Sequence, residues 1–165
     1  MNVYQDVIMA GFGGQGVMLI GNLLAYAGMD AGFNVTFIPV YGPEMRGGTA
    51  NCTVVVSDED IGSPVIHRPK GIIVMNQPSL EKFQPRVEDG GVIIINSSLI
   101  DARQADTSGR IRAVIVAAND IANDLGNARM ANMVIFGAYI KAVGTLPMKA
   151  VTKALHHVFP KESLI

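Results

Sequence analysis

The chain has 165 residues, of which 49% are hydrophobic and 16% are charged, and its formal net charge is −1. This length predicts a single domain over residues 1–165, and the charge excludes the strongly basic surface of a nucleic-acid-binding protein. No apolar run reaches the ~20 residues that span a bilayer, and the first residues lack the charged and apolar regions of a signal peptide. We therefore expect a cytoplasmic protein with neither nucleic-acid nor membrane partners.

The first predicted strand, residues 3–10, leads directly into a glycine-rich turn and a helix over residues 15–31. The turn reads Gly11-Phe12-Gly13-Gly14-Gln15-Gly16, and its glycines at positions 11, 13 and 16 match G-x-G-x-x-G. Between a strand and a helix, this motif lets a ligand approach the backbone and presents free N–H groups to an anion such as a phosphate. The alternative is a purely structural turn, because glycines allow positive φ whether or not a ligand binds.

The next strand, residues 34–40, lacks the residue that would specify a dinucleotide. Such sites usually carry Asp or Glu about 20 residues after the glycines, where it binds the ribose hydroxyls. Asp30 comes too early for this role, and Glu44 lies beyond the strand. The sequence therefore argues against nicotinamide and flavin cofactors, and a self-contained nucleotide-binding enzyme is only an alternative.

A second loop joins this strand to the next one at residues 51–57, and it reads Tyr41-Gly42-Pro43-Glu44-Met45-Arg46-Gly47-Gly48-Thr49-Ala50. It is too short for a crossover helix, so we predict a hairpin-like excursion from the sheet. The guanidinium of Arg46 and the N–H groups of Gly47-Gly48 suit a phosphate or a carboxylate. Two alternatives are a weak surface pair between Glu44 and Arg46, and a loop that docks on a partner.

Cys52 is the only cysteine in the sequence, and it lies within the strand at residues 51–57. One thiol cannot form an internal disulfide or supply the roughly four ligands of an iron–sulfur cluster, so we expect a small buried hydrophobic residue. His67, His156 and His157 are not spaced as metal ligands, and no metal site is predicted.

Strand-like and helix-like runs alternate through the rest of the chain. Strands are predicted at residues 71–75, 92–96 and 111–116, and helices at 78–83, 118–125, 128–143 and 147–158. The first two of these strands contain continuous apolar runs, at residues 71–75 and 92–95, which are typical of parallel strands buried on both faces. The sequence therefore predicts a Rossmann-like, three-layer α/β domain with a mostly parallel sheet and the hairpin-like excursion.

Two further features bear on ligands and partners. Asn76 and Asn96 end two predicted strands at the edge where ligands bind in such sheets, although asparagine is also an ordinary helix cap. The helix at 128–143 has almost no polar face, so it is either central to the fold or buried against another chain. Because the mean hydropathy is also high, at +0.32, the isolated chain is predicted to form a homo-oligomer.

Two segments of this sequence resemble the gamma subunit of 2-oxoacid:ferredoxin oxidoreductases, most of all the 2-oxoglutarate type. The segments are Ile8-Met9-Ala10-Gly11-Phe12-Gly13-Gly14-Gln15-Gly16-Val17 and Tyr41-Gly42-Pro43-Glu44-Met45-Arg46-Gly47-Gly48-Thr49-Ala50-Asn51-Cys52. The resemblance covers nearly the whole chain, and it implies a subunit of an enzyme that converts a 2-oxoacid, coenzyme A and oxidised ferredoxin into an acyl-CoA, CO2 and reduced ferredoxin. Thiamine diphosphate and the iron–sulfur clusters are then expected in the alpha, beta and delta partner subunits of a hetero-oligomer, with ferredoxin as the acceptor.

For this chain, the resemblance implies coenzyme A binding and subunit assembly without a catalytic residue. The implied binding residues are Gly13, Gly14, Gln15, Gly16, Arg46, Gly47, Gly48 and Thr49. Glu44-Met45 in the second loop favours 2-oxoglutarate as the substrate. The alternatives are a purely structural assembly subunit with no ligand contact and the self-contained nucleotide-binding enzyme.

Overall fold

A computed structural model describes residues 2–41 and 49–159 of the chain. Its strands are β1 (Tyr4–Phe12), β2 (Asn34–Tyr41), β3 (Thr49–Ser57), β4 (Gly71–Val74), β5 (Val92–Asn96) and β6 (Arg112–Val116). Its α-helices are α1 (Val17–Asp30), α2 (Gln77–Phe83), α3 (Ala118–Asp124), α4 (Ala131–Val143) and α5 (Met148–Val158). Short 3-10 turns occupy Gln84–Arg86, Ala102–Gln104 and Ala128–Met130. Every predicted strand and helix is therefore present, with its ends shifted by a few residues.

The six described strands form one sheet in the order β2-β3-β1-β4-β5-β6. β1, β4, β5 and β6 are parallel neighbours, whereas β3 lies antiparallel between β1 and β2. Since β3 alone among these strands runs against the others, the mostly parallel sheet and the hairpin-like excursion are confirmed. The pairing register places Thr49 opposite Phe12 and Tyr41 opposite Ala50. Both ends of the second loop are therefore at the edge where β1 ends.

Helices cover the two faces of the sheet unequally. α1, α3, α4 and α5 pack on the face that includes Met9 and Ile94. On the other face, α2 packs over Ile8 and Ile93. The start of α2 is marked by two residues that favour a helix N-terminus. The side chain of Asn76 caps the helix, and Pro78 lies in its first turn. This arrangement confirms the three-layer α/β architecture.

The almost entirely apolar helix α4 lies in the larger core. Ile135, Phe136 and Tyr139 are at most 1% exposed, and the half-buried Met133 and Val134 pack against the same core. Burial within this chain therefore explains why the helix is almost entirely apolar. Of the two interpretations of the sequence, the helix is central to the fold. The prediction of a homo-oligomer loses the support that it drew from α4.

An open groove borders the outer strands on the α2 side of the sheet. Ile38 and Val40 of β2 and Thr53 of β3 line it, together with the loop at residues 64–67, and its volume is about 300 Å³. Val40 is 47% exposed and Val65 is 56% exposed. We call this surface the β2–β3 groove, and it is an apolar surface that the isolated chain leaves open to solvent.

Candidate functional site

The glycine turn lies at the carboxyl end of β1 and starts α1. Gly14 and Gly16 have φ angles of 92° and 77°, in the left-handed region where a side chain is strained. A Cβ on Gly16 would also collide with the amide nitrogen Nδ2 of Asn132 in α4, whereas a Cβ on Gly14 would meet no described heavy atom within 4 Å. Gly16 therefore permits close packing between two helices, and Gly14 leaves open space beside the turn.

The side chain of Gln15 is engaged within the protein. Its Oε1 accepts a hydrogen bond from the Phe12 N–H at 2.7 Å, and its Nε2 donates to the Met75 carbonyl at 3.1 Å. The Gln15 N–H itself donates to the Phe12 carbonyl at 3.2 Å. Gln15 thus shapes the turn and ties it to the segment that follows β4.

The chain leaves β1 and β4 in opposite directions. From β1 it runs through α1 toward β2, whereas from β4 it runs through α2, on the other face, toward β5. In open α/β sheets, ligands bind in the crevice that such a divergence opens at the carboxyl ends of the strands. The glycine turn lies at the β1 side of this crevice, so the topology independently points to the residues that the motif singles out.

Two cavities meet at Gly14, one on each side of the turn. The larger, which we call the apolar cavity, measures about 330 Å³ and is lined by Phe12, Gly13, Gly14, Gly16, Val17, Met18, Leu19, Tyr41 and Ala50. The smaller, which we call the polar cavity, measures about 170 Å³ and is lined by Gly14, Gln15, Met75, Asn119, Ala128, Arg129, Ala131 and Asn132. The turn therefore separates two environments that suit chemically different parts of one ligand.

Three side chains give the polar cavity its character, and none was predicted as a binding residue. Asn132 in α4 donates to the Gly16 carbonyl at 3.3 Å although 116 residues separate the two in sequence. Asn119 in α3 accepts a hydrogen bond from Asn96 at 2.8 Å, and Arg129 lies in the 3-10 turn two residues before α4. One signal for Arg129 was present in the sequence, because a cation at the start of a helix is electrostatically unfavourable unless something compensates for it.

The second loop is only partly described. Residues 42–48, which include the predicted binding residues Arg46, Gly47 and Gly48, lie outside the described part of the chain. Thr49 begins β3 and pairs with Phe12, and Tyr41 ends β2 and lines the apolar cavity. The two residues that flank the loop are therefore beside the glycine turn.

The insertion of β3 explains why the sequence lacks a dinucleotide signature. In a dinucleotide fold, the acidic residue lies on the strand next to the first one. Here β3 separates β1 from β2, which moves the end of β2 away by one strand spacing of about 4.8 Å. Asp30 at the end of α1 instead pairs with Nε2 of His157 at 2.9 Å. In the described part of the chain, the strand next to β1 on this side is therefore β3 and not β2.

Asn76 and Asn96 are buried structural residues. Oδ1 of Asn76 accepts a hydrogen bond from the Ser79 N–H at 2.9 Å and so caps α2. Oδ1 of Asn96 accepts from the Ala118 N–H at 3.1 Å, and its Nδ2 donates to Asn119. The cap interpretation accounts for Oδ1 of Asn76, whereas its buried Nδ2 has no hydrogen-bond partner among the described residues. Asn96 orients a residue that lines the polar cavity.

Cys52 is a fully buried residue whose Sγ lies 3.5 Å from the Val17 carbonyl oxygen. Burial raises the pKa of its thiol to about 12, so the group is neutral at ordinary pH. This confirms the expectation of a small buried hydrophobic residue. Within residues 2–41 and 49–159, no group of three His, Cys, Asp or Glu side chains is arranged to hold a metal ion. The helices in these ranges are also too short or too polar to cross a bilayer.

The sequence matches a known protein family and several named relatives. The family model described as "Pyruvate ferredoxin/flavodoxin oxidoreductase" matches residues 6–165. The ketoisovalerate oxidoreductase subunit VorA of Methanothermobacter thermautotrophicus is 44% identical over 131 residues, which are 79% of this chain but only 27% of that relative's length. The 2-oxoglutarate synthase subunit KorC of the same organism is 30% identical over 165 residues, covering 97% of this chain and 87% of the relative.

Solved structures share the fold. The gamma subunit of keto/oxoacid ferredoxin oxidoreductase from Geobacter sulfurreducens has a TM-score of 0.80 at 25% identity, over 96% of this chain and 88% of that one. The 2-oxoglutarate:ferredoxin oxidoreductase from Magnetococcus marinus, solved with 2-oxoglutarate, coenzyme A and succinyl-CoA bound, has a TM-score of 0.85 at 21% identity, over 96% of this chain and 27% of that one. The second likeness concerns the fold alone. The chain belongs to the pyruvate ferredoxin/flavodoxin oxidoreductase family, and its resemblance to the gamma subunits of 2-oxoacid:ferredoxin oxidoreductases is confirmed.

Proposed function

We propose that this chain binds coenzyme A and supports assembly in a 2-oxoacid:ferredoxin oxidoreductase, without supplying a catalytic residue. The complete enzyme would convert a 2-oxoacid, coenzyme A and oxidised ferredoxin into an acyl-CoA, CO2 and reduced ferredoxin. The observation that carries the proposal is the pair of cavities on either side of Gly14. Coenzyme A has two corresponding parts, a phosphorylated nucleotide and a largely uncharged arm that ends in the thiol.

The redox chemistry is assigned to partner subunits in the cytoplasm. An iron–sulfur cluster needs about four ligands, and the thiol of the lone Cys52 is buried against the Val17 carbonyl. We therefore assign the clusters and thiamine diphosphate to the alpha, beta and delta subunits, from which ferredoxin takes the electrons. The contribution of this chain is to position coenzyme A, which can lower a barrier substantially without any acid or base.

We propose 2-oxoglutarate as the substrate, because the KorC relative aligns over nearly the full length of both chains. Ketoisovalerate is the alternative, since the VorA relative is more identical over a shorter region. Glu44-Met45, which favours 2-oxoglutarate in the sequence, lies outside the described residues. Turnover of the reconstituted complex with each acid decides the matter, and faster turnover of ketoisovalerate would replace the proposed substrate.

Pre-steady-state kinetics of the assembled complex, with coenzyme A varied, tests the binding role. Arg46→Ala removes a charge, and Gly14→Val places a side chain in the open space between the two cavities. Loss of one charge-assisted contact costs about 1.5–3 kcal/mol, which is roughly tenfold or more in affinity. The first electron transfer should keep its rate, because decarboxylation precedes the step in which coenzyme A accepts the acyl group.

Arg103→Ala is a matched control, because Arg103 pairs with Asp101 at 2.8 Å on the exposed surface and lines neither cavity. If both test variants retain wild-type dependence on coenzyme A while the subunits dissociate, the turn and loop are assembly elements. The purely structural subunit would then replace our proposal.

The purely structural subunit is the second candidate because the β2–β3 groove is open in the isolated chain. Its walls are mainly apolar, and Val40 and Val65 are about half exposed. A partner subunit in the complex, or a second copy of the isolated chain, would remove this surface from water.

A further inference from the structure

We propose that the polar cavity is an anion site in which Arg129 binds a phosphate group. The inference deepens the proposed coenzyme A function and rests on it for the identity of the molecule that carries the phosphate. Gly14 and Gln15 are the only residues of the predicted binding set among the described lining residues. The site therefore adds Arg129 as the charged contact, with Asn119 and Asn132 as polar walls.

The side chain of Arg129 is free to meet a ligand. It is exposed, and it makes no hydrogen bond or ion pair with any residue in the described ranges. None of the described residues that line the cavity is acidic. Asp120, next to Asn119, instead accepts a hydrogen bond from Oγ of Ser98 at 3.1 Å. Because no carboxylate among the described residues pairs with it, the guanidinium presents a fork of N–H donors that matches the geometry of a phosphate.

The position of Arg129 is unfavourable in the absence of an anion. α4 is a 13-residue helix that begins at Ala131, two residues after Arg129, so its positive end lies close to this residue. In its first turn, the Met133 N–H donates to Oδ1 of Asn132 at 2.9 Å. Ala131 and Asn132 from this first turn line the polar cavity. α1 begins at Val17, and its first residues line the apolar cavity rather than the polar one. A phosphate in the cavity would be attracted by Arg129 and by the start of α4, and it would offset the repulsion between them.

The sizes of the cavities indicate which part of a ligand enters each one. Small-molecule sites usually measure roughly 300–1,000 Å³, so a cavity of about 170 Å³ suits a charged end group rather than a whole cofactor. The apolar cavity of about 330 Å³ shares Gly14 with it. A phosphate beside Arg129 would therefore leave the uncharged part of the same molecule near Phe12, Met18 and Tyr41.

Isothermal titration calorimetry tests the site on the full chain and on the complex. The probes are coenzyme A, dephospho-coenzyme A and inorganic pyrophosphate, and the variants are Arg129→Gln and the control Arg103→Gln. We expect Arg129→Gln to weaken coenzyme A binding at least about tenfold, while Arg103→Gln keeps the wild-type affinity. If Arg129→Gln weakens the binding of both coenzyme A and dephospho-coenzyme A, Arg129 contacts the diphosphate. If it weakens the binding of coenzyme A alone, Arg129 contacts the 3′-phosphate. Both results support the site.

Thermal unfolding without ligand supplies a readout that separates binding from structure. Because Arg129 opposes the dipole of α4, Arg129→Gln should leave the Tm unchanged or raise it by about 1–4 °C. Pyrophosphate should raise the Tm of the wild-type chain but not that of Arg129→Gln. A lower Tm together with unchanged pyrophosphate affinity would make Arg129 a packing residue and overturn the inference.

The failure of this inference and the failure of the proposed function give different results. If the wild-type chain binds coenzyme A and Arg129→Gln binds it with the same affinity, the proposed function stands and the anion site is wrong. If pyrophosphate binds in an Arg129-dependent manner and coenzyme A does not bind, the anion site stands and the proposed function is wrong.

Discussion

Gly16 is the residue of the glycine motif whose role the structure defines most sharply. It lies at positive φ, and its backbone carbonyl accepts a hydrogen bond from Asn132 of α4. The third glycine of such motifs usually allows close packing of secondary elements. Here the close neighbour is the side chain of another helix, so Gly16 joins α1 to α4.

We predict that Gly16→Ala costs more stability than Gly14→Ala. Both substitutions meet backbone strain of about 1–3 kcal/mol at positive φ, but only the Gly16 variant also collides with Asn132. Urea unfolding measures the two free energies. Adding Asn132→Ala should recover part of the loss in the Gly16→Ala background, and equal losses for the two glycine variants would contradict this account.

Cys52 makes the alkaline stability of the chain depend on pH. Burial raises the pKa of its thiol from 9.0 to about 12, so the unfolded chain releases this proton at a lower pH than the folded chain. The stabilisation that comes from this difference in pKa is fully present below pH 9 and is lost as the pH rises toward 12. Relative to Cys52→Ala, the free energy of unfolding should fall by up to about 1.4 kcal/mol per pH unit in this window. Urea unfolding of both proteins across the window checks the difference, and parallel curves would refute it.

At the scale of elements, a contact between helix ends holds α5 on α1. The ring of His157 stacks on Tyr26 with centroids 4.7 Å apart, and its Nε2 lies 2.9 Å from Oδ2 of Asp30. Val151 and Ala154 bury the inner side of α5. Because α1 follows the glycine turn and its first residues line the apolar cavity, α5 supports the helix that forms one wall of that cavity.

We predict that His157→Ala loosens α5 without affecting ligand binding. The lost stacking and the partly exposed hydrogen bond between His157 and Asp30 together are worth about 0.5–1.5 kcal/mol. Hydrogen exchange of the α5 amides should accelerate accordingly, while affinity for coenzyme A stays at the wild-type value. His156→Ala is the adjacent control, since His156 is exposed and makes none of these contacts. Equal acceleration in both variants would show that the contact does not hold the helix.

At the scale of the whole molecule, β2 is an edge strand of the sheet and the β2–β3 groove lies beside it. Pro39 within β2 removes one backbone donor, and prolines are a common device that limits strand addition at sheet edges. A partner is therefore expected to cover the face of these strands rather than to extend the sheet.

Self-association of the isolated chain should depend on this groove. We predict that the double variant Val40→Lys/Val65→Lys shifts the chain toward the monomer, because it places charge on the apolar surface. Leu125→Lys is the control, since Leu125 is 76% exposed and lies outside the groove. Sedimentation velocity measures the distribution, and a wild-type chain that is monomeric at high concentration would contradict the prediction.

Local patterns in the sequence determined the elements, the glycine turn and the burial of Cys52. Continuous apolar runs mark β4 and β5 because strands buried on both faces need no polar side. Asn76 and Pro78 mark the start of α2. The asparagine side chain accepts a hydrogen bond from a free N–H group of the first turn, and proline fits only there because it has no N–H group to donate. The short connection before Thr49 predicts the hairpin because chain length by itself excludes a crossover helix. Each of these signals is contained within a few residues.

Only the tertiary structure decided the neighbours of the glycine turn. The position of β3 between β1 and β2 depends on which strand edges pair, and the placement of α4 brings Asn132 to Gly16 across 116 residues. Arg129 reaches the polar cavity for the same reason, since packing of the whole helix layer carries it there. Contacts of this kind follow from the joint burial of several elements, and no local pattern records which distant segments will share a core.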